Sequence, residues 1–290
     1  LIPLLPDAQR YWLIDYLHTR ARLASLDSDF QCDPACARPG CKNQDMQVPV
    51  SLVDLLGTAL HLGEPVSALY GRHYVLGVFS NDRADWLRLT SLKLIKPCPF
   101  LDGDLCGIYP VRPLPCILFP EYLVSRGTFA AHAAKPQFRE YHCFRRTLKL
   151  SPARNRVVTK LRDMWEREQL ISSFYLFNHA TCHIDCSHLA KELYVDPEAG
   201  QEQRYLANQV IDTFFQEHVA GSPPFNGIAA KIQDLDTQEG QAEFLQLLQD
   251  DLLVKKLRQA GDDRALVFRV KKGKLKARRR GIIPTEYKFY

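Results

Sequence analysis

The stretch CPFLDGDLCGIYPVRPLPC, from Cys98 to Cys116, is the strongest constraint on how this chain folds. It holds three cysteines together with Pro99, Pro110, Pro113 and Pro115, and Pro97 stands just before it. Proline lacks an N–H and fixes its own φ, so neither a long helix nor a sheet-interior strand can run through such a segment. Its thiols must therefore sit on loops and short turns. That setting suits metal ligands. The prolines restrict the unbound loop, Gly103 and Gly107 allow close approach, and unpaired backbone N–H groups are free to point at sulfur.

The chain has 290 residues and nine cysteines. An odd number cannot be fully paired within one chain, and a chain of this length needs no disulfide staples to bury a core. A first cysteine group, CDPACARPGC, supplies Cys32, Cys36 and Cys41; the second supplies Cys98, Cys106 and Cys116. Thiolates favour zinc, copper(I) or iron–sulfur clusters. The competing reading is a set of buried small hydrophobes, the usual fate of one isolated cysteine. Six thiols in two loop-borne groups favour metal.

A tetrahedral zinc or a four-iron cluster takes four protein ligands, so six thiols exceed one mononuclear site and fall short of two complete ones. Either some stand behind the ligands, or thiolates bridge, or His142 and Cys143 of the YHCF run take part. An iron–sulfur cluster is the first choice and zinc the alternative. Arg112 is the leading non-cysteine candidate, because a guanidinium would offset the thiolate charge and donate hydrogen bonds to it. Otherwise it pairs with Asp102 or Asp104. A further candidate is HATCHIDCSH, where His179, Cys182 or His183, and Cys186 would share one face of a helix.

On these motifs, residues 31–124 resemble the YkgJ-type cysteine-cluster proteins, a family described as zinc- or iron-chelating domains. CPFLDGDLCGIYPVRPLPC followed by ILFP is similar to that family's C-P-F-L … C-x-I-Y-x-x-R-P-x-x-C block. The family's first group usually closes with adjacent cysteines, whereas here Cys41 stands alone. Flagellin lysine-N-methylases are distantly similar, and that resemblance implies an iron–sulfur cluster with S-adenosylmethionine. Three expectations stand: an iron–sulfur protein serving redox or modification chemistry, a zinc-stabilised interaction module, or, as the distant resemblance implies, a methylase.

The expected fold is mainly α with irregular cysteine-bearing loops and a few short strands (α+β). Residues 1–150 would form the cysteine-cluster domain, 151–260 a helical domain packed on it, and 261–290 a basic hairpin or tail. A helix is expected over 7–26, with Tyr11, Ile14, Leu17 and His18 inward and Arg10, Arg20 and Arg22 outward. A second is expected over 50–62 with Ser51 as its cap. Strands are expected over 73–80 and 88–95, and EYLVSRGTFAAH reads as two strands turning at Arg126-Gly127. Helix formers fill 153–193 and 201–219, GSPPFNG reads as a linker, and a last helix should span 238–259.

A net charge of +5 does not imply nucleic acid. The basic run within 267–280 reads as a solvated hairpin, with an acidic partner or nucleic acid as the alternative. No phosphate-binding loop, dinucleotide fingerprint or nucleophile elbow is present, so neither ATP hydrolysis nor serine hydrolysis has motif support. With no apolar run of membrane-spanning length, a cytoplasmic protein that acts on an unknown protein partner or substrate is expected.

Overall fold

The computed structural model describes residues 7–28, 30, 36–44, 46–80, 86–134, 138–180, 182–185, 225, 227–263, 265–271 and 274–281. The fold is mainly α with short strands, as expected from the sequence. Its helices are α1 (Asp7–Ser25), α2 (Pro39–Lys42), α3 (Leu52–Leu62), α4 (Val66–Leu69), α5 (Leu114–Leu118), α6 (Glu121–Ser125) and α7 (Phe129–Ala133). They continue with α8 (Pro152–Phe177), α9 (Ile228–Asp234), α10 (Gln238–Gln249) and α11 (Asp251–Asp263). No helix among the described residues is long and apolar enough to cross a membrane.

Six strands form one sheet: β1 (Val48–Val50), β2 (Tyr74–Ser80), β3 (Trp86–Leu94), β6 (Cys182–Asp185), β7 (Ala265–Lys271) and β8 (Lys274–Gly281). Strand β3 is its centre. β2 lies antiparallel along one edge, and the other edge is shared end to end by β1, opposite Leu92–Leu94, and β6, opposite Trp86–Leu89. β6 then pairs in parallel with β7, which turns back into β8 as the basic hairpin. The sheet thus joins strands from all three sequence segments, and one apolar core extends from Leu13 to Phe268. A separate two-stranded ribbon, β4 (Leu101–Asp102) and β5 (Leu105–Cys106), lies within the proline-rich segment.

Helix α8 is the spine. Its 26 residues span about 39 Å. Ser151 caps it by accepting from the Arg154 N–H at 3.0 Å, Pro152 occupies the first turn, and Asn178 ends it in the left-handed conformation. Helix α3 begins with a full capping box, in which the Ser51 hydroxyl accepts from Asp54 N–H and the Asp54 carboxylate from Ser51 N–H.

Two buried ion-pair networks fix the helices around this spine. Arg20 on α1 donates to Asp54 on α3 at 2.6 Å and to Glu168 on α8 at 3.4 Å. Glu168 also accepts from the Tyr16 and Ser51 hydroxyls at 3.0 and 2.9 Å. Arg154 on α8 forks onto Glu121 of α6 and reaches the Leu26 carbonyl at 2.7 Å, past the end of α1. A guanidinium at a helix C-terminus also meets the negative end of its dipole.

Several expectations need correction. On α1 the buried positions are Leu13, Leu17 and Arg20, while Tyr11 is 64% exposed and His18 is exposed. The inward face is rotated from the one read, because two carboxylates draw Arg20 inside. EYLVSRGTFAAH forms α6 and α7 rather than two strands, although Gly127 does make the turn, with φ 70. Glu121 and Leu123 on α6 are both buried, the first against Arg154. The single helix over 238–259 is two, broken at extended Asp250, whose carboxylate accepts from Leu253 N–H at 2.8 Å and caps α11. Helix α8 ends at Phe177, short of 193. The segment 201–219 and most of GSPPFNG lie outside the described residues.

At Gly240 in the first turn of α10, a Cβ would lie 2.1 Å from the backbone oxygen of Asp234. Gly240→Ala should therefore destabilise the fold by about 1–3 kcal/mol, by forcing α9 and α10 apart. A chemical denaturation midpoint matching that of the unsubstituted chain would refute this contact.

Candidate metal centre

The proline-rich segment folds into short pieces. β4 and β5 make a two-residue hairpin whose first turn residue, Gly103, has φ 56, where a side chain would be strained. A 3-10 turn follows over Tyr109–Val111, and then α5 opens with Pro115 in its first turn. Cys98 stands in the loop ahead of the hairpin, Cys106 on β5 and Cys116 in α5. The Gly107 N–H donates to the Phe100 carbonyl at 2.8 Å and the His61 ring contacts the Gly107 carbonyl at 3.1 Å, so the loop is tied to itself and to α3.

The two cysteine groups meet. Cys98 N–H donates to the Cys41 carbonyl at 2.7 Å, and Lys96 Nζ donates to the carbonyl of Gly40. The thiols of Cys41 and Cys98 are close enough to shift each other's titration. Cys41, with help from the Phe100 N–H and Lys96, holds the Cys98 thiol below its ordinary range against the opposing effect of burial. Cys41 moves the other way, because of the neighbouring Cys98 and because it is buried. Burial pushes the Cys116 thiol up to about 12, opposed by Lys96 and Arg112 and reinforced by Cys41. Burial also raises Cys106, opposed by the Ile108 N–H and Arg112. Cys41, Cys98, Cys106 and Cys116 therefore lie within electrostatic reach of one another, with Lys96 and Arg112 as the nearby cations.

Two buried donors border these thiols without a protein partner among the described residues: Arg112 Nε and the Tyr141 hydroxyl. The guanidinium of Arg112 lies over the Tyr109 ring, 3.9 Å from its centroid. Asp104 pairs with Lys42 at 3.8 Å, both exposed. The carbonyl of Arg112 accepts from Arg20 at 3.4 Å, which ties the cysteine segment to the buried network of α1, α3 and α8. Among the described residues, no three His, Cys, Asp or Glu side chains are already grouped as a metal-ion site. The side chains brought near one another are thiols, the donor type that soft metals prefer, with Lys96 and Arg112 as nearby cations.

The remaining candidates divide. Cys36 stands just before α2, and Cys143 on a 3-10 turn over His142–Arg145; both act electrostatically on Tyr141. Cys32 and Cys186 lie outside the described residues. His179, Cys182 and His183 do not share a helix face. Asn178 ends α8 first, and residues 182–185 form β6, where Cys182 and His183 point to opposite sides. Cys182 is fully buried in the main core, and burial raises its thiol. It behaves as a small core residue.

Lys96, Gly40 and Tyr141 escaped the sequence reading, although each neighbours a cysteine motif: Lys96 precedes Pro97-Cys98, Gly40 precedes Cys41, and Tyr141 opens YHCF. No family model matches this chain, and no curated protein or solved structure matches it.

Proposed function

We propose that this chain is a metal-binding protein that holds an iron–sulfur cluster through Cys41, Cys98, Cys106 and Cys116, with Cys36 and Cys143 at the margin. The observation that carries this reading is the junction of two sequence-distant cysteine groups through the Cys98–Cys41 backbone bond. Lys96 and Arg112 support it, since they offset the charge that several thiolates would gather. The similarity of Cys98–Cys116 to the YkgJ-type block points the same way. Such a cluster supplies one-electron or Lewis-acid chemistry, and a protein partner or substrate is the proposed recipient.

Anaerobic purification followed by absorption spectroscopy and iron, sulfide and zinc analysis tests this directly. The expected result is a coloured protein with iron and acid-labile sulfide in stoichiometric amounts. A colourless protein with one zinc per chain and no sulfide would replace the iron–sulfur reading with a zinc-stabilised module. A chain that takes up neither metal would overturn the metal reading itself.

A further inference from the structure

Tyr141 is 3% exposed, and its hydroxyl is buried with no hydrogen-bond partner among the described residues. The ring is walled by Phe119, Phe138 and Phe144, with centroids 5.5, 5.4 and 6.0 Å away. Packing of that kind would be served equally well by a fourth phenylalanine. Leaving a phenol unpaired in such a wall is unfavourable, so the hydroxyl calls for a role.

Its surroundings suggest one. The oxygen lies 3.5 Å from where a Cβ on Gly40 would stand, so it abuts the backbone turn that presents Cys41. Tyr141 also stands two positions before Cys143 in the sequence. A buried phenol without a partner, beside the turn that presents a thiol, is a donor for an anionic sulfur.

We infer that Tyr141 is a positioning residue whose hydroxyl donates a hydrogen bond to the Cys41 thiolate when the metal is bound. This rests on the metal-binding reading above. In the metal-free protein the Tyr141 hydroxyl has no partner among the described residues. As a metal ligand Cys41 is a thiolate, which accepts well. A hydrogen bond to a ligating sulfur withdraws electron density from it, which favours the reduced form of the centre.

The test compares the full chain with its Tyr141→Phe variant, both reconstituted anaerobically with iron and sulfide. Expected for the variant are iron and sulfide contents equal to the unsubstituted chain, a lower midpoint potential, and a sulfur-to-iron absorption band moved to longer wavelength. On a zinc-loaded chain the same loss is read as faster zinc release to a chelator. In the metal-free state the variant should melt at the same or a higher temperature, since phenylalanine removes an unpaired buried hydroxyl. Unchanged potential and band in a variant that holds iron would overturn the role of Tyr141 and leave the metal reading standing. A lower melting temperature for the metal-free variant would also overturn it, by showing that the hydroxyl is already partnered. Failure of the unsubstituted chain to take up metal would remove both.

Discussion

Arg20→Met should lower the unfolding free energy by about 3–5 kcal/mol. Arg20 is 1% exposed and is the cation between two buried carboxylates, Asp54 and Glu168. Methionine fills much of the same volume but takes the cation from both acids in a low-dielectric interior, and removing one partner of a buried pair is far costlier than replacing the whole pair. The damage would spread, because the same guanidinium also reaches the carbonyl of Arg112 in the cysteine segment.

The acids outnumber the cation, and Glu168 responds. Burial and the neighbouring Asp54 push it up to about 7 from 4.5, against the opposing effect of Arg20 and of hydrogen bonds from Ser51 and Tyr16. Between those values the folded chain keeps a proton that the unfolded chain has lost, so stability falls as pH rises through that window. Glu168→Gln stays neutral throughout and should flatten the dependence. Denaturant titrations at pH 4.5 and 7 give the comparison. An Arg20→Met variant within about 0.5 kcal/mol of the unsubstituted chain would refute the network's role, the size expected of a surface change.

The N-cap at Ser51 and the strands β2 and β3 depend on neighbouring residues, and each is legible in the sequence. So is the basic hairpin, and the prolines limit regular structure between Cys98 and Cys116 to a two-stranded ribbon, a 3-10 turn and the first turn of α5. The inward turn of Arg20 depends on partners 34 and 148 positions away, which helical periodicity cannot reveal. Glu121 is held by Arg154, 33 positions on, and that pairing helps fix α6 where an alternating strand was expected. The end of α8 did carry a signal, since asparagine readily adopts the left-handed cap at position 178. Reading it would have removed the supposed helix face of His179, Cys182 and Cys186. At the candidate centre the cysteines were visible in the sequence, but their supporting cations and donors were only partly so: Arg112 was, Lys96 and Tyr141 were not.

Substitution of the cysteines should separate ligands from core residues. Cys98→Ala and Cys116→Ala are each expected to weaken metal binding by about 100-fold or more, beyond the 10- to 100-fold range seen when only a supporting residue is lost. Because metal binding and folding are coupled, both variants should also lose the thermal stabilisation that the metal gives the unsubstituted chain. Cys182→Ala removes one sulfur from the sheet core and should cost about 1 kcal/mol with metal content unchanged. The contrast is physical. Cys98 and Cys116 have the cations Lys96 and Arg112 nearby to stabilise thiolate, whereas Cys182 is fully buried in the main apolar core. Thermal melts of chelator-treated protein separate folding defects from lost metal, since a ligand variant should differ little from the unsubstituted chain once both are metal-free. Equal metal content across the three variants would overturn the assignment of Cys98 and Cys116 as ligands and leave the junction of the two cysteine groups a matter of packing.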